Sequence, residues 1–256
     1  MQKEPAKFFE SDIMEGMTSI SAVIKSIQIG KSDRKIITVL IDQNKNSSKR
    51  KEINFLIHKS NELGFNIEYT DGETISKYTT GNSHGGIIAF CSQRNVPELS
   101  ANAIVKDGVY YLLEGIEDPY NFGYAARSVF ASGGNGIILP RRNWMGVSGI
   151  VARSSAGTSE LIDMFVCTPE EAVVCFKRLN YRVICAGIRD SESIFETNLK
   201  KPLLVVLGGE KRGISRSVLD SADKVVRIDY ANKFNGSLST AAATAVFAFE
   251  ILRNNL

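Results

Sequence analysis

The chain has 256 residues, 43% hydrophobic and 23% charged, which are globular values with room for one large core or two modest ones. Its 31 basic and 28 acidic residues leave a formal charge of +3, so bulk charge marks no polyanion binder and any such site must be a local cluster. Four cysteines without a CxxC pair and only two histidines exclude a disulfide framework and a sensible zinc ligand set, so the expected chemistry uses no metal.

The amino terminus, MQKEPAKFFESDIMEG, has no continuous apolar stretch. With no segment of membrane-spanning length, the expectation is a soluble cytoplasmic protein without signal peptide or anchor. Apolar positions at helical spacing cover Ile20–Ile29, and the β-branched run Lys35–Asp42 reads as a strand. An amphipathic helix follows, ending at Gly64, then the short strand NIEY and a short helix with Asp71 or Thr74 near its start. A buried strand at Gly85–Cys91 closes this first α/β unit, expected over residues 1–100. The basic run NKNSSKRK, Asn44–Lys51, admits two readings, phosphate contact or solvated loop, and Asn82, Ser83 and His84 are either RNA contacts or merely exposed. Ser92–Asn102 is polar, contains a proline and is the best linker in the chain.

A second α/β unit is expected over residues 107–256. Its strands read at Gly108–Ile116, Gly136–Pro140, Leu161–Val166, Tyr181–Ile188, Pro202–Gly208 and Lys224–Ile228, with helices between them and one at the end. Such near-continuous apolar strands are those of a parallel sheet covered on both faces. Ligands bind such sheets beyond the carboxyl ends of the strands, which singles out three loops, Glu117–Asn121, Gly208–Ser215 and Asp229–Ser237.

In the first loop, Asn121 has the chemistry of a helix N-cap and Arg127, six residues on, falls in the second turn; a cap plus a surface arginine is the plain alternative. The second loop, LGGEKRGIS, puts a glycine pair after an apolar strand, which suits close approach of backbone to a ligand. Ile214 stands where a phosphate-binding loop needs lysine, which argues against a nucleoside triphosphatase. In the third, Ser237 is a candidate N-cap ahead of a run of alanines.

Taken in order, NFGYAAR with GGNGIILP, then LGGEKRGIS, then SLSTAAA before the last helix resemble the three motifs of the SpoU (TrmH-type) branch of the SPOUT RNA methyltransferases, over about 108–256. The amino half resembles, more loosely, the ribosomal-protein-like RNA-binding domain attached to such enzymes. The resemblance implies a carboxyl-terminal parallel-sheet domain with a deep trefoil knot, an exception to the rule against threaded chains. It further implies S-adenosylmethionine as cofactor, a homodimer with a shared active site, and RNA as substrate, ribosomal before transfer RNA. Gly208, Gly209, Glu210, Ile228 and Leu238 would border the cofactor, and Asn121, Arg127, Glu210 and Ser237 would serve catalysis.

The expected product is a 2′-O-methylated ribose. Motif three departs from the family pattern, because Ser239 stands where an asparagine is usual and Asp229-Tyr230 replaces a proline–methionine pair. Two alternatives therefore stay open at this level. One is a catalytically silent RNA-binding or ribosome-assembly factor on the same fold; the other is an unrelated nucleotide-binding α/β enzyme.

Overall fold

The computed structural model describes residues 12–79, 84–141 and 147–256, so Asn82 and Ser83 lie outside the described residues. In chain order the elements are β1 (Asp12–Glu15), α1 (Gly16–Gln28), β2 (Ile36–Asp42), α2 (Arg50–Leu63), β3 (Asn66–Thr70), α3 (Gly72–Ser76), β4 (Ile87–Cys91), β5 (Val109–Glu114), α4 (Pro119–Ala131), β6 (Gly136–Leu139), α5 (Ser148–Ser154), β7 (Asp163–Val166), α6 (Pro169–Arg178), β8 (Arg182–Ala186), β9 (Glu192–Ser193), β10 (Leu203–Gly208), α7 (Arg216–Asp220), β11 (Lys224–Arg227) and α8 (Thr240–Asn254). They fall into two compact units. The first holds the described residues through Asn95 together with 147–161; the second holds the rest.

The first unit is built on a mixed four-stranded sheet, β1-β4-β2-β3, in which β4 runs antiparallel to both β1 and β2 while β3 is parallel to β2. The short polar strand β1 carries too little β-branched character to be read from sequence. Its pairing with β4 is what holds it. Met14, Val23, Ile24, Val39, Ile41, Leu56 and Ile87 form the core. The run Asn44–Lys51 is a turn leading into α2: the Asp42 side chain accepts the Asn44 N–H, and helix begins at Arg50. Asp71 is the cap of α3, accepting from the Thr74 N–H at 2.8 Å.

Residues 147–161 join this unit from far along the chain. Ala152 is fully buried in its core, and a Cβ on Gly149 would stand 2.0 Å from the Ile13 carbonyl oxygen, so only glycine lets α5 lie this close to β1. A buried ion-pair cluster completes the junction. The Arg34 guanidinium bonds Asp12 at 2.5 Å and Glu160 at 3.0 Å, with all three side chains at most 6% exposed. It also donates to the Ser92 carbonyl. Burial alone would lower the Arg34 pKa, but the two carboxylates, Glu160 before Asp12, outweigh burial and hold it above the ordinary arginine value.

The second unit is a seven-stranded, wholly parallel sheet, β7-β6-β5-β10-β8-β11-β9. Its central strands are buried along almost their whole length, as a sheet covered on both faces requires. On one face Phe165, Val173, Phe176, Tyr181 and Val218 join the strand side chains. α4 and α8 pack against each other, and α8 buries Thr240, Thr244, Phe247, Ala248 and Ile251, an i, i+4, i+7, i+8, i+11 stripe. Register pairs Gly208 with Glu114, so β5 and β10 end side by side. From β5 the chain builds β6 and β7 to one side, whereas β8, β11 and β9 lie to the other; that boundary is where an open α/β sheet offers a crevice. Among the described residues no helix is long and apolar enough to cross a membrane.

Candidate active site

The three loops emerge from the carboxyl ends of β5, β10 and β11. Loop two makes a very tight turn: a Cβ on Gly208 would lie 2.4 Å from the Gly213 carbonyl carbon, and one on Gly209 would lie 2.1 Å from the Gly115 carbonyl oxygen. Neither position admits a side chain, because backbone already fills that space. The turn is held by a Gly213 N–H bond to the Gly209 carbonyl at 3.0 Å. Beyond it, the Ser215 N–H donates to the Glu114 carboxylate at 3.3 Å, which ties the start of α7 to the end of β5.

A cavity of about 470 Å³ opens beside this turn. Leu207, Ile214, Leu219, Val226 and Phe247 supply apolar wall, while Gly208 and Gly209 present bare backbone. Glu210, Ile228, Ser237 and Leu238 also line it. All five expected cofactor residues, and Ser237, are thus brought to one concavity of a size typical for small-molecule sites, ~300–1,000 Å³. A smaller cavity of about 320 Å³ adjoins, lined by Asn121, Glu117, Glu210, Lys211 and Thr240 among others. Glu210 and Thr240 border both.

Asn121 does not cap α4. Asp118 does, its carboxylate accepting the Asn121 N–H at 2.8 Å with Pro119 at the first helical position, an arrangement that pre-sets helical φ. The Asn121 side chain instead reaches across the loops, and its amide donates to Glu210 at 2.6 Å. A second tie, Lys211 to Glu117 at 2.7 Å, joins the same two loops.

Ser237 likewise does not cap α8. Ser239 takes that position, accepting the Ala242 N–H at 3.2 Å. Ser237 stays exposed on the cavity wall and bonds no other described residue. Loop three is braced from below. Arg227 pairs with Asp229 at 2.8 Å, Ser193 donates to the same carboxylate, and the Leu238 N–H donates to the Tyr230 hydroxyl at 3.2 Å. The Ser193 bond first, and then Arg227, hold the Asp229 carboxyl below its ordinary range.

Arg127 is the residue the geometry does not gather in. It sits in the third turn of α4, not the second, because the helix starts at Pro119. It is exposed and lines neither cavity. Its helical neighbours at i−7, i−3 and i+3, Tyr120, Tyr124 and Phe130, are exposed aromatics, which share its side of the helix. Sequence reasoning missed Glu114 and Thr240, whose roles depend on which strands end side by side, and Arg189 and Arg212, which line the larger cavity without belonging to any expected contact.

A model of the SpoU rRNA Methylase family matches residues 108–249. The 23S rRNA (guanosine-2′-O-)-methyltransferase RlmB of Shewanella oneidensis is 25% identical over 254 residues, covering 95% of this chain and 98% of that protein. The enzyme of the same name from Blochmanniella floridana is 27% identical, with 95% of each chain covered. Among solved structures, an RNA 2′-O ribose methyltransferase superposes with a TM-score of 0.79 at 19% identity over 96% of this chain and 89% of its own. The AdoMet-bound rRNA methyltransferase of Sinorhizobium meliloti does so with 0.76 at 23% identity, covering 96% and 88%.

Proposed function

This chain belongs to the SpoU rRNA Methylase family, and from that premise we propose that it is an S-adenosylmethionine-dependent methyltransferase acting on a ribose 2′-hydroxyl of ribosomal RNA. The observation that carries the reading is the convergence of Gly208, Gly209, Glu210, Ile228, Ser237 and Leu238 on one cavity at the carboxyl edge of a parallel sheet. The residues fit the cofactor: apolar wall suits an adenine ring, and side-chain-free glycine backbone allows close hydrogen bonding to polar edges. The knotted path that the resemblance implies belongs to the same reading.

When bound, the cofactor would supply an electrophilic methyl group on a sulfonium; the protein's task is alignment, and the proton of the ribose hydroxyl leaves to solvent water. Asn121, held by Glu210, keeps its amide oxygen for a ribose hydroxyl. Ser237, exempt from capping, presents its hydroxyl on the cavity wall to the attacking oxygen. Arg127 acts as an electrostatic clamp, because a guanidinium stays protonated in proteins and makes a poor base. It holds an RNA phosphate and favours the developing alkoxide.

Arg127 reaches a cavity it does not line by crossing a twofold interface. The exposed stripe Tyr120, Tyr124 and Phe130 beside it, with Phe249 of α8, is the apolar surface such an interface would cover. The active unit is then a homodimer whose sites each take Arg127 from the partner subunit. The first unit, with its basic run Asn44–Lys51, serves RNA binding through phosphates.

The test has four arms. Calorimetry with S-adenosylmethionine should give one site per chain, and label from the methyl group should pass to ribosomal RNA. Alkaline hydrolysis should then find a resistant 2′-O-methylated linkage. RNA binding with no label transferred would identify a silent factor, and no cofactor binding would remove the reading altogether. Gel filtration that returned a monomer would refute the shared site.

A further inference from the structure

The first turn of α8 carries a bond that neither the family motif nor the mechanism above uses. Thr240 is 4% exposed, borders both cavities, and donates from its hydroxyl to the Gly208 carbonyl at 2.9 Å. Gly208 is the last residue of β10, where a parallel strand leaves the sheet and its carbonyl needs a partner from elsewhere. The peptide linking Gly208 to Gly209 opens the tight turn at the cavity. A trans peptide aims its C=O and its N–H in opposite directions. Fixing that carbonyl on α8 therefore fixes the plane of the peptide at the mouth of the glycine turn.

The donor sits one residue past the cap of α8, where Ser239 accepts the Ala242 N–H; one turn on, the buried Thr244 hydroxyl closes a bond within the helix to a main-chain carbonyl at 2.7 Å. The β-branched Thr240 has few rotamers to lose. Two adjacent hydroxyls thus take different tasks: Ser239 caps the start of the helix, and Thr240 ties the helix to the glycine turn.

We infer that Thr240 is a positioning residue for the cofactor, fixing the Gly208–Gly209 peptide in its binding orientation through the Gly208 carbonyl. This rests on the cofactor reading proposed above. The test uses the full chain and S-adenosylmethionine itself. T240V keeps the shape and removes the donor, so the cofactor Kd and its KM should rise about tenfold, the scale of one lost hydrogen bond to a buried carbonyl. KM for ribosomal RNA should stay within about twofold of the parent. T240S restores the donor and should return the cofactor Kd to within about threefold of the parent.

T244V deletes a buried hydroxyl bond one turn further along and serves as the structural control: its Tm should fall while cofactor Kd holds. Should T240V not fold, T240A against T240S supplies the same comparison. Parent-like cofactor affinity in T240V, or equal losses in T240V and T244V, would overturn the assignment. Failure of the parent chain to bind the cofactor at all would instead overturn the functional reading, and this inference with it.

Discussion

Replacing Arg34 with methionine gives the sharpest test of how the first unit is held together. Methionine fills much of the same space but leaves Asp12 and Glu160 facing each other without their cation. Both carboxylates are nearly inaccessible, at 6% and 4%, and the lost guanidinium also served the Ser92 carbonyl. Removing one partner of a buried charge cluster costs about 3–5 kcal/mol, because the desolvation of the remaining charge is no longer offset. For a unit of about a hundred residues this corresponds to a drop of about 15–25 °C in its melting temperature. Denaturant unfolding followed by circular dichroism should give the free energy, and calorimetry the midpoint. The triple variant R34M/D12N/E160Q removes the buried charge altogether and should recover more than half of the loss. An R34M protein within about 1 kcal/mol of the parent would refute the argument, since that is the value of a solvent-screened pair. The cavity proposed for the cofactor lies wholly in the second unit, so S-adenosylmethionine affinity in R34M should match the parent below the unfolding transition.

R127A should lower methyl transfer at least a hundredfold while leaving cofactor Kd and gel-filtration size unchanged; wild-type turnover would discard the clamp. Burial pushes the Cys91 and Cys185 thiols up to about 12, well above their unfolded value near 8.5. Stability is therefore unaffected below about pH 8.5 and falls as pH rises from there towards 12, by up to about 1.4 kcal/mol per pH unit for each thiol. Guanidinium titrations at pH 8 and pH 10 measure this, and equal midpoints would contradict it. Removing the first unit should weaken RNA binding in filter assays yet spare the cofactor, provided that residues 147–161 are deleted with it. A cut at Asn95 alone strips the partners from Ala152 and Glu160 and should leave an aggregating product.

Much of this was legible in sequence because local physics and final structure agree. The apolar runs at 109–114 and 203–207 are parallel central strands, and alternation of strands and helices announced the sheet. What escaped is non-local. The strand Asp12–Glu15 has no pattern of its own and exists by pairing with β4. Residues 147–161 look like one more connection of the second unit; only Gly149 against Ile13 and Glu160 against Arg34 reveal where they pack. Thr240 reads as one small residue in an alanine-rich stretch until β10 ends beneath it.

Two helix starts keep a polar side chain at the cavity uncommitted. Asn121 and Ser237 were each eligible for two tasks, capping a helix or doing chemistry, and a side chain engaged in the first is unavailable for the second. In both loops a neighbour relieves it. Asp118 takes the cap three residues ahead of Asn121, whose amide then spans to Glu210; Ser239 takes the cap two residues after Ser237, whose hydroxyl stays on the cavity wall. A cap contributes about 1 kcal/mol wherever it sits, so stability alone does not decide which neighbour provides it. Moving it two or three residues away costs the fold nothing and leaves a polar group at the cavity uncommitted. D118A tests this directly. If the arrangement matters as argued, the first turn of α4 will unwind until Asn121 caps a shorter helix, the Glu210 bond will be lost, and kcat will fall more than the modest loss of stability explains. A D118A enzyme with normal kcat would mean that Asn121 has no task beyond the helix.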